Sequence, residues 1–170
     1  MMPKGGNDNV FTPDWLARAI MDHFKPKGKM LEPCRGMGAF HKLMPKGSPW
    51  CEIAEGRDFK DYKGRVDWVI TNPPWSDLRA FLQKSMEVSD NVVFLCLVNA
   101  IFMKARMRDI REAGFVVNEI LLVPTPKLPW TQTGFCLGAV HIKREDHVEL
   151  PKLGFCKITH LDVPGSENIS

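Results

Sequence analysis

Asn72, Pro73, Pro74 and Trp75 stand together in the stretch VDWVITNPPWSDLRAFLQ, between an apolar run and a helical pattern. Two consecutive prolines remove two backbone donors and hold the residue before them in extended backbone. A corner this stiff keeps any acceptor it carries aimed without reorganisation. The Asn72 side-chain oxygen and the Pro73 carbonyl are two such acceptors, enough for the two hydrogens of one amine. The exocyclic amine of an aromatic ring is a poor nucleophile because its lone pair is delocalised. Holding both hydrogens lets the nitrogen pyramidalise and point that lone pair at an electrophile. Trp75 offers a flat face on which the ring would stack. The plain alternative is a rigid strand-to-helix turn with Trp75 in the core.

Three further pieces lie upstream. Gly36 and Gly38, in EPCRGMGAF, permit tight turning and close approach of backbone to a ligand lying against the loop. Glu52, 20 residues after Glu32, is placed as the acid that accepts both hydroxyls of a ribose in nucleotide-binding sheets. Asp58 and Phe59 offer an acceptor for an adenine amino group and an aromatic face for its ring. Each piece alone has an ordinary reading: a strand-to-helix turn, a surface glutamate, a core phenylalanine.

The elements that must position these residues follow from periodicity. TPDWLARAIMDHF predicts a helix with Trp15, Leu16, Ile20 and Phe24 on one face, Thr12 as N-cap and Pro13 at the first helical position. KMLEP predicts a short strand, PWCEIA a second and RVDWVITN a third. SDLRAFLQKSMEV reads as a helix and NVVFLCLV as a central strand. AIFMKARMRDIREAG reads as a helix stopped at Gly114, followed by the strands FVVNEILLV and GFCLGAVHIKR. This alternation predicts an open α/β sheet, mainly parallel, whose last two strands form an antiparallel edge pair. In such sheets ligands lie beyond the carboxyl ends of the strands, where LEPCRGMGAF, EIAEGRDF and TNPPW all fall.

At 170 residues the chain suits one domain, expected over 1–145, with 146–170 as an appended, irregular C-terminal segment. The formal charge of +3 is compatible with nucleic acid without pointing to it. Five cysteines, without CxxC spacing, suggest neither a disulfide framework nor a zinc site. Reduced thiols in a cytoplasm are the simplest reading, and no metal is expected. No stretch approaches the roughly 20 apolar residues that span a bilayer, so no membrane partner is expected.

Taken together, the motifs resemble the S-adenosylmethionine-dependent amino-methyltransferases, especially the DNA adenine-N6 methyltransferases. Their catalytic tetrapeptide is Asn/Asp/Ser-Pro-Pro-aromatic, matched by Asn72 to Trp75. Their upstream motif Asp/Glu-Pro-x-x-Gly-x-Gly-x-Phe is matched by Glu32, Pro33, Gly36, Gly38 and Phe40. A preceding Thr-Pro pair is matched by Thr12 and Pro13. The resemblance implies a Rossmann-like class I fold and S-adenosylmethionine as cofactor, held by Phe11, Thr12, Pro13, Glu32, Pro33, Cys34, Gly36, Gly38, Glu52, Asp58, Phe59 and Asn72. It implies methyl transfer to the N6 amine of adenine in DNA, at a base flipped onto Trp75. Two departures stand out. Too few residues separate PWCEIA from RVDWVITN for a full strand-helix unit, so one unit of the usual sheet is reduced or missing. There is also no length for a separate target-recognition domain, which predicts low sequence specificity. The loop PTPKLPWTQTGF, residues 124–135, would cover the target base through Lys127, Trp130 and Thr131, or is simply a proline-stiffened connection. Compactness of this kind suits a phage or mobile element. Sites of the same form methylate RNA bases or protein glutamines, and a non-catalytic nucleic-acid-binding subunit of a methyltransferase complex is the reading from another class.

Overall fold

The computed structural model describes residues 10–127, 130, 134–145 and 156–162. Six strands form one sheet in the order β1-β2-β3-β5-β4-β6: β1 is Met30–Leu31, β2 Trp68–Thr71, β3 Asn91–Leu97, β4 Phe115–Leu122, β5 Leu137–Arg144 and β6 Lys157–His160. β1, β2 and β3 pair in parallel. β5 runs antiparallel to both β3 and β4, and β6 lies parallel to β4. The helices are α1 (Asp14–Phe24), α2 (Leu78–Val88), α3 (Val98–Ile101) and α4 (Lys104–Glu112). This is the expected Rossmann-like, mainly parallel α/β architecture.

Successive side chains of a strand point to opposite faces, and the apolar runs of β2 and β3 therefore feed two cores. Val69, Val92 and Phe94 meet Leu78 and Leu82 of α2 and Ile110 of α4 on one face. Ile70, Val93 and Leu95 meet Leu16 and Ile20 of α1 on the other. Each fully buried Leu, Ile or Phe contributes about 1.5–3 kcal/mol, so these runs fix the register.

Several expectations are corrected. The antiparallel strand is not at the edge: β5 is inserted between β3 and β4, and part of the tail adds β6 outside β4. Residues 157–160, expected as irregular, pair with 119–122. The Glu119 carboxylate accepts from Thr159 Oγ1 at 3.2 Å and meets Lys157 Nζ at 3.1 Å. PWCEIA is not a strand but a single parallel rung between Glu32 and Trp50. Two 3-10 turns, Ile53–Glu55 and Phe59–Asp61, and no strand fill the chain from there to β2. Trp15 is 44% exposed. Leu16, Ala17, Ile20 and Met21 form the inward stripe of α1, and Trp15 lies off its flank. The N-cap of α1 is Pro13, not Thr12; the Pro13 carbonyl accepts from Leu16 and Ala17, and Thr12 is left to face elsewhere. No helix among the described residues is long and apolar enough to cross a membrane.

Candidate active site

A cavity of about 560 Å³ opens beyond the carboxyl ends of β1 and β2. Its wall is made of the residues that leave those ends: Glu32, Pro33, Cys34 and Gly36 after β1, Glu52 after the rung, Asp58 and Phe59 from the 3-10 turns, and Asn72 and Pro74 after β2. Phe11 and Thr12 close it from the N-terminal side. Of the residues expected here, Pro13, Gly38, Pro73 and Trp75 stand behind the wall or beside it.

The glycine loop is a left-handed turn, with φ of 49° at Gly36 and 75° at Gly38. The Phe11 ring lies so close to Gly36 that an added Cβ would come within 3.1 Å of it. Glu52 fastens the loop: its Oε2 accepts from the Gly36 amide at 2.7 Å, and its Oε1 accepts from the Ala54 amide at 3.3 Å. A carboxylate oxygen has two acceptor sites, so each oxygen keeps one for a ligand hydroxyl. Asp58 is used in the same way, accepting from the Lys60 amide through Oδ1 at 2.9 Å. Glu32 is 2% exposed and accepts the His41 amide at 2.6 Å. Burial pushes its carboxyl up to about 8, although the His41 bond works the other way.

At the tetrapeptide, Asn72 Nδ2 donates to the Val10 carbonyl at 2.9 Å. That bond settles which end of the amide is which and leaves Oδ1 as the acceptor end of a side chain lining the cavity. Pro73 is buried, and Trp75 is half-buried with its ring edge-on to Trp130 at 6.2 Å. Trp130 itself is 2% exposed and donates from Nε1 to the Phe11 carbonyl at 3.3 Å. Trp130 is thus tied to the N-terminal wall. Lys127 is exposed, and Thr131 lies outside the described residues. Phe59 lines the cavity but is 2% exposed, its ring packed on Phe81 at 5.3 Å.

Sequence reasoning missed Ile53, Phe81, Lys60 and Asp77. Ile53 lines the cavity while 73% exposed, an apolar face directly after the Glu52 acid; its signal was a large apolar side chain between the acids of EIAEG. Lys60 and Asp77, both in the wall, form an ion pair at 3.0 Å between the second 3-10 turn and the turn after Trp75. Nothing in one-dimensional spacing marks that pair. The lining holds five carboxyl side chains, Glu32, Glu52, Glu55, Asp58 and Asp77, against Arg35 and Lys60, an excess suited to a cationic ligand. Among the described residues, no cluster of His, Cys, Asp and Glu is arranged to hold a metal ion.

No family model matches the sequence, and no curated protein matches it. The fold, however, is shared with solved structures. It superposes on the M protein of the type I restriction enzyme EcoKI with a TM-score of 0.62 at 13% identity, over 82% of this chain and 45% of that one. A proposed class I S-adenosylmethionine-dependent methyltransferase from Listeria monocytogenes gives 0.60 at 13% identity, over 92% and 67% of the two chains. A proposed RNA methyltransferase from Pyrococcus horikoshii gives 0.59 at 19% identity, over 83% and 90%. The chain has the class I methyltransferase fold, and it spans less than half of the EcoKI protein.

Proposed function

We propose that the protein transfers a methyl group from S-adenosylmethionine to the exocyclic N6 amine of adenine in DNA, with low sequence specificity. One observation carries the reading: Asn72 borders the cavity with its amide nitrogen committed to Val10, so an acceptor oxygen is fixed where an amine would arrive.

The cofactor fits the residues present. Its cationic methionine end suits an excess of carboxyl groups that includes the buried Glu32. Gly36 and the Phe11 ring leave a cradle that a Cβ would fill. Glu52 would take the ribose hydroxyls, Asp58 the adenine amine and Ile53 a face of its ring. When bound, S-adenosylmethionine supplies a methyl group on a sulfonium, which departs as a neutral thioether. Asn72 and the Pro73 carbonyl accept the two hydrogens of the target amine and turn its lone pair toward that methyl. The amine nitrogen gains a carbon bond and gives up one proton to solvent, so no strong base is required. The prolines keep the acceptors in place while this happens. Trp75, braced by Trp130, bounds the space for the target ring.

The reading is tested by incubating the protein with methyl-labelled cofactor and, separately, DNA, RNA and a glutamine-containing peptide, then identifying the labelled product. N6-methyl-2′-deoxyadenosine from DNA, spread over many sequence contexts, is expected. Label confined to RNA, to peptide or to one motif of four or more base pairs would overturn it in that respect.

A further inference from the structure

The corner between α3 and α4 holds two large apolar side chains out to solvent, Phe102 at 45% and Met103 at 56% exposure, and Phe135, just ahead of β5, is 57% exposed. The chain brings the segments that carry them together. The amide of Val98, the first residue of α3, donates to the carbonyl of Cys136 at 2.9 Å, so the segment carrying Phe135 lies on the start of that helix. From there α3 rises only about 6 Å before Phe102. Arg106 fixes the corner by donating from Nη1 to the Ala100 carbonyl at 2.8 Å.

The corner follows the carboxyl end of β3, the strand next to the one that ends in the tetrapeptide. Thr71 of β2 pairs with Phe94, and β3 runs on to Leu97, about 10 Å further along the strand. The cavity is lined from the ends of β1 and β2, with no residue from β3, α3 or β5. A substrate that reaches Asn72 from the side away from the cavity would cross the end of β3. Just beyond Met103, Lys104, Arg108 and Arg111 are exposed on one face of α4, and none of them forms an ion pair among the described residues. Glu112 is the exposed acid beside them, and Asp109 is held by Arg79 at 2.7 Å.

An exposed aromatic ring, Phe102, next to cations that form no ion pair among the described residues matches bases with open faces on a phosphate backbone. A duplex hides its base faces and would use the cations alone. We propose that this corner docks an unpaired nucleic-acid strand, with a base flanking the target stacked on Phe102 and phosphates along Lys104 and Arg108. The inference rests on the methyltransferase reading above and adds a substrate form and its track.

The test uses the full chain with the demethylated cofactor product, an end-labelled single strand about 16 nucleotides long, and the same sequence as a duplex. The single strand should bind more tightly than the duplex. Phe102→Ala should weaken it about tenfold, and Phe102→Trp should restore it. Lys104→Gln should lower the slope of log affinity against log salt by about 0.7. Cofactor affinity should not change in any of these variants. Equal affinity for strand and duplex, unmoved by Phe102→Ala in a protein that still methylates DNA, would overturn the inference and leave the proposed function standing. A dimer that Phe102→Asp converts to monomer would overturn it by showing the corner to be an interface between copies. A protein that binds cofactor but neither binds nor methylates any nucleic acid would overturn both readings.

Discussion

The two halves of the sheet are held by different kinds of bond. Around the cavity, β1 has two residues, the next strand is reduced to one rung, and three 3-10 turns carry the chain. Order there comes from side chains bonded to backbone amides: Glu52 to Gly36, Glu32 to His41, Asp58 to Lys60. In the other half, β3, β5 and β4 are seven and eight residues long and pair along their whole lengths apart from one bulge near Val117. Ladders satisfy the backbone without spending side chains. In the cavity half each of these acids holds the chain and also lines the cavity. Substitutions in the cavity half should therefore change binding and turnover more than stability, and those in the ladder half the reverse.

The largest effect is expected at the tetrapeptide. Asn72→Ala removes the acceptor on which the proposed mechanism relies in the transition state, so turnover should fall by about 10²-fold or more, while the thermal midpoint and cofactor affinity change little. Single-turnover kinetics and a melting curve check both. Near-normal turnover would mean that the corner is only a turn.

On the ladder side the counterpart is His141 of β5. It is 5% exposed, stacked on Trp68 at 5.0 Å, and bonded through Nε2 to Asn91 Oδ1 and through Nδ1 to Asn118 Nδ2. Burial, with help from Lys143, lowers its pKa to about 4. A folded pKa below the unfolded value near 6.5 gives stability that is whole above pH 6.5 and is lost as pH falls toward 4. The loss should reach about 2–3 kcal/mol, measured by urea unfolding at a series of pH values. A His141→Gln protein should lack that pH-dependent portion, while its cofactor affinity stays the same.

How much of this was legible varies with the same contrast. Glu32, Gly36, Glu52, Asp58 and Asn72 could be placed on one edge because each ends or follows an apolar run, and strand ends in open sheets share an edge. The rung at Trp50 has no period to read, since one residue cannot alternate. β6 was hidden for a related reason: it is short, with three of four residues exposed, and what docks it is the distant Glu119. The burial of Trp130 and the Lys60–Asp77 pair depend on contacts across 119 and 17 residues, which local pattern does not carry.

Two glycines sharpen the comparison. Gly36, at the cavity, and Gly114, which ends α4 ahead of β4, both have positive φ, 49° and 75°. Replacing either by alanine costs roughly 1 kcal/mol for the left-handed backbone. Only Gly36→Ala also meets a neighbour, the Phe11 ring at 3.1 Å, whereas nothing lies within 4 Å of a Cβ at Gly114. Calorimetry should show cofactor affinity reduced about tenfold in Gly36→Ala and unchanged in Gly114→Ala, with similar losses of stability. Equal cofactor affinities in the two variants would show that the loop yields and that Phe11 is not held against it.

The smallest effect concerns Glu32, where the cavity half has its own buried ionisable group. Burial raises its carboxyl to about 8 from 4.5. In the ligand-free protein its contribution to stability is complete below pH 4.5 and declines as pH rises through 8, because only the unfolded chain ionises it freely. A cationic ligand end placed beside it favours the carboxylate, so binding at neutral pH must release a proton from this side chain. Affinity should then rise several-fold between pH 7 and 8.5, less than tenfold in all. The calorimetric enthalpy should depend on the ionisation enthalpy of the buffer, and the dependence should vanish in Glu32→Gln. A buffer-independent enthalpy in the unaltered protein would mean that Glu32 stays protonated when the cavity fills and serves the His41 amide alone.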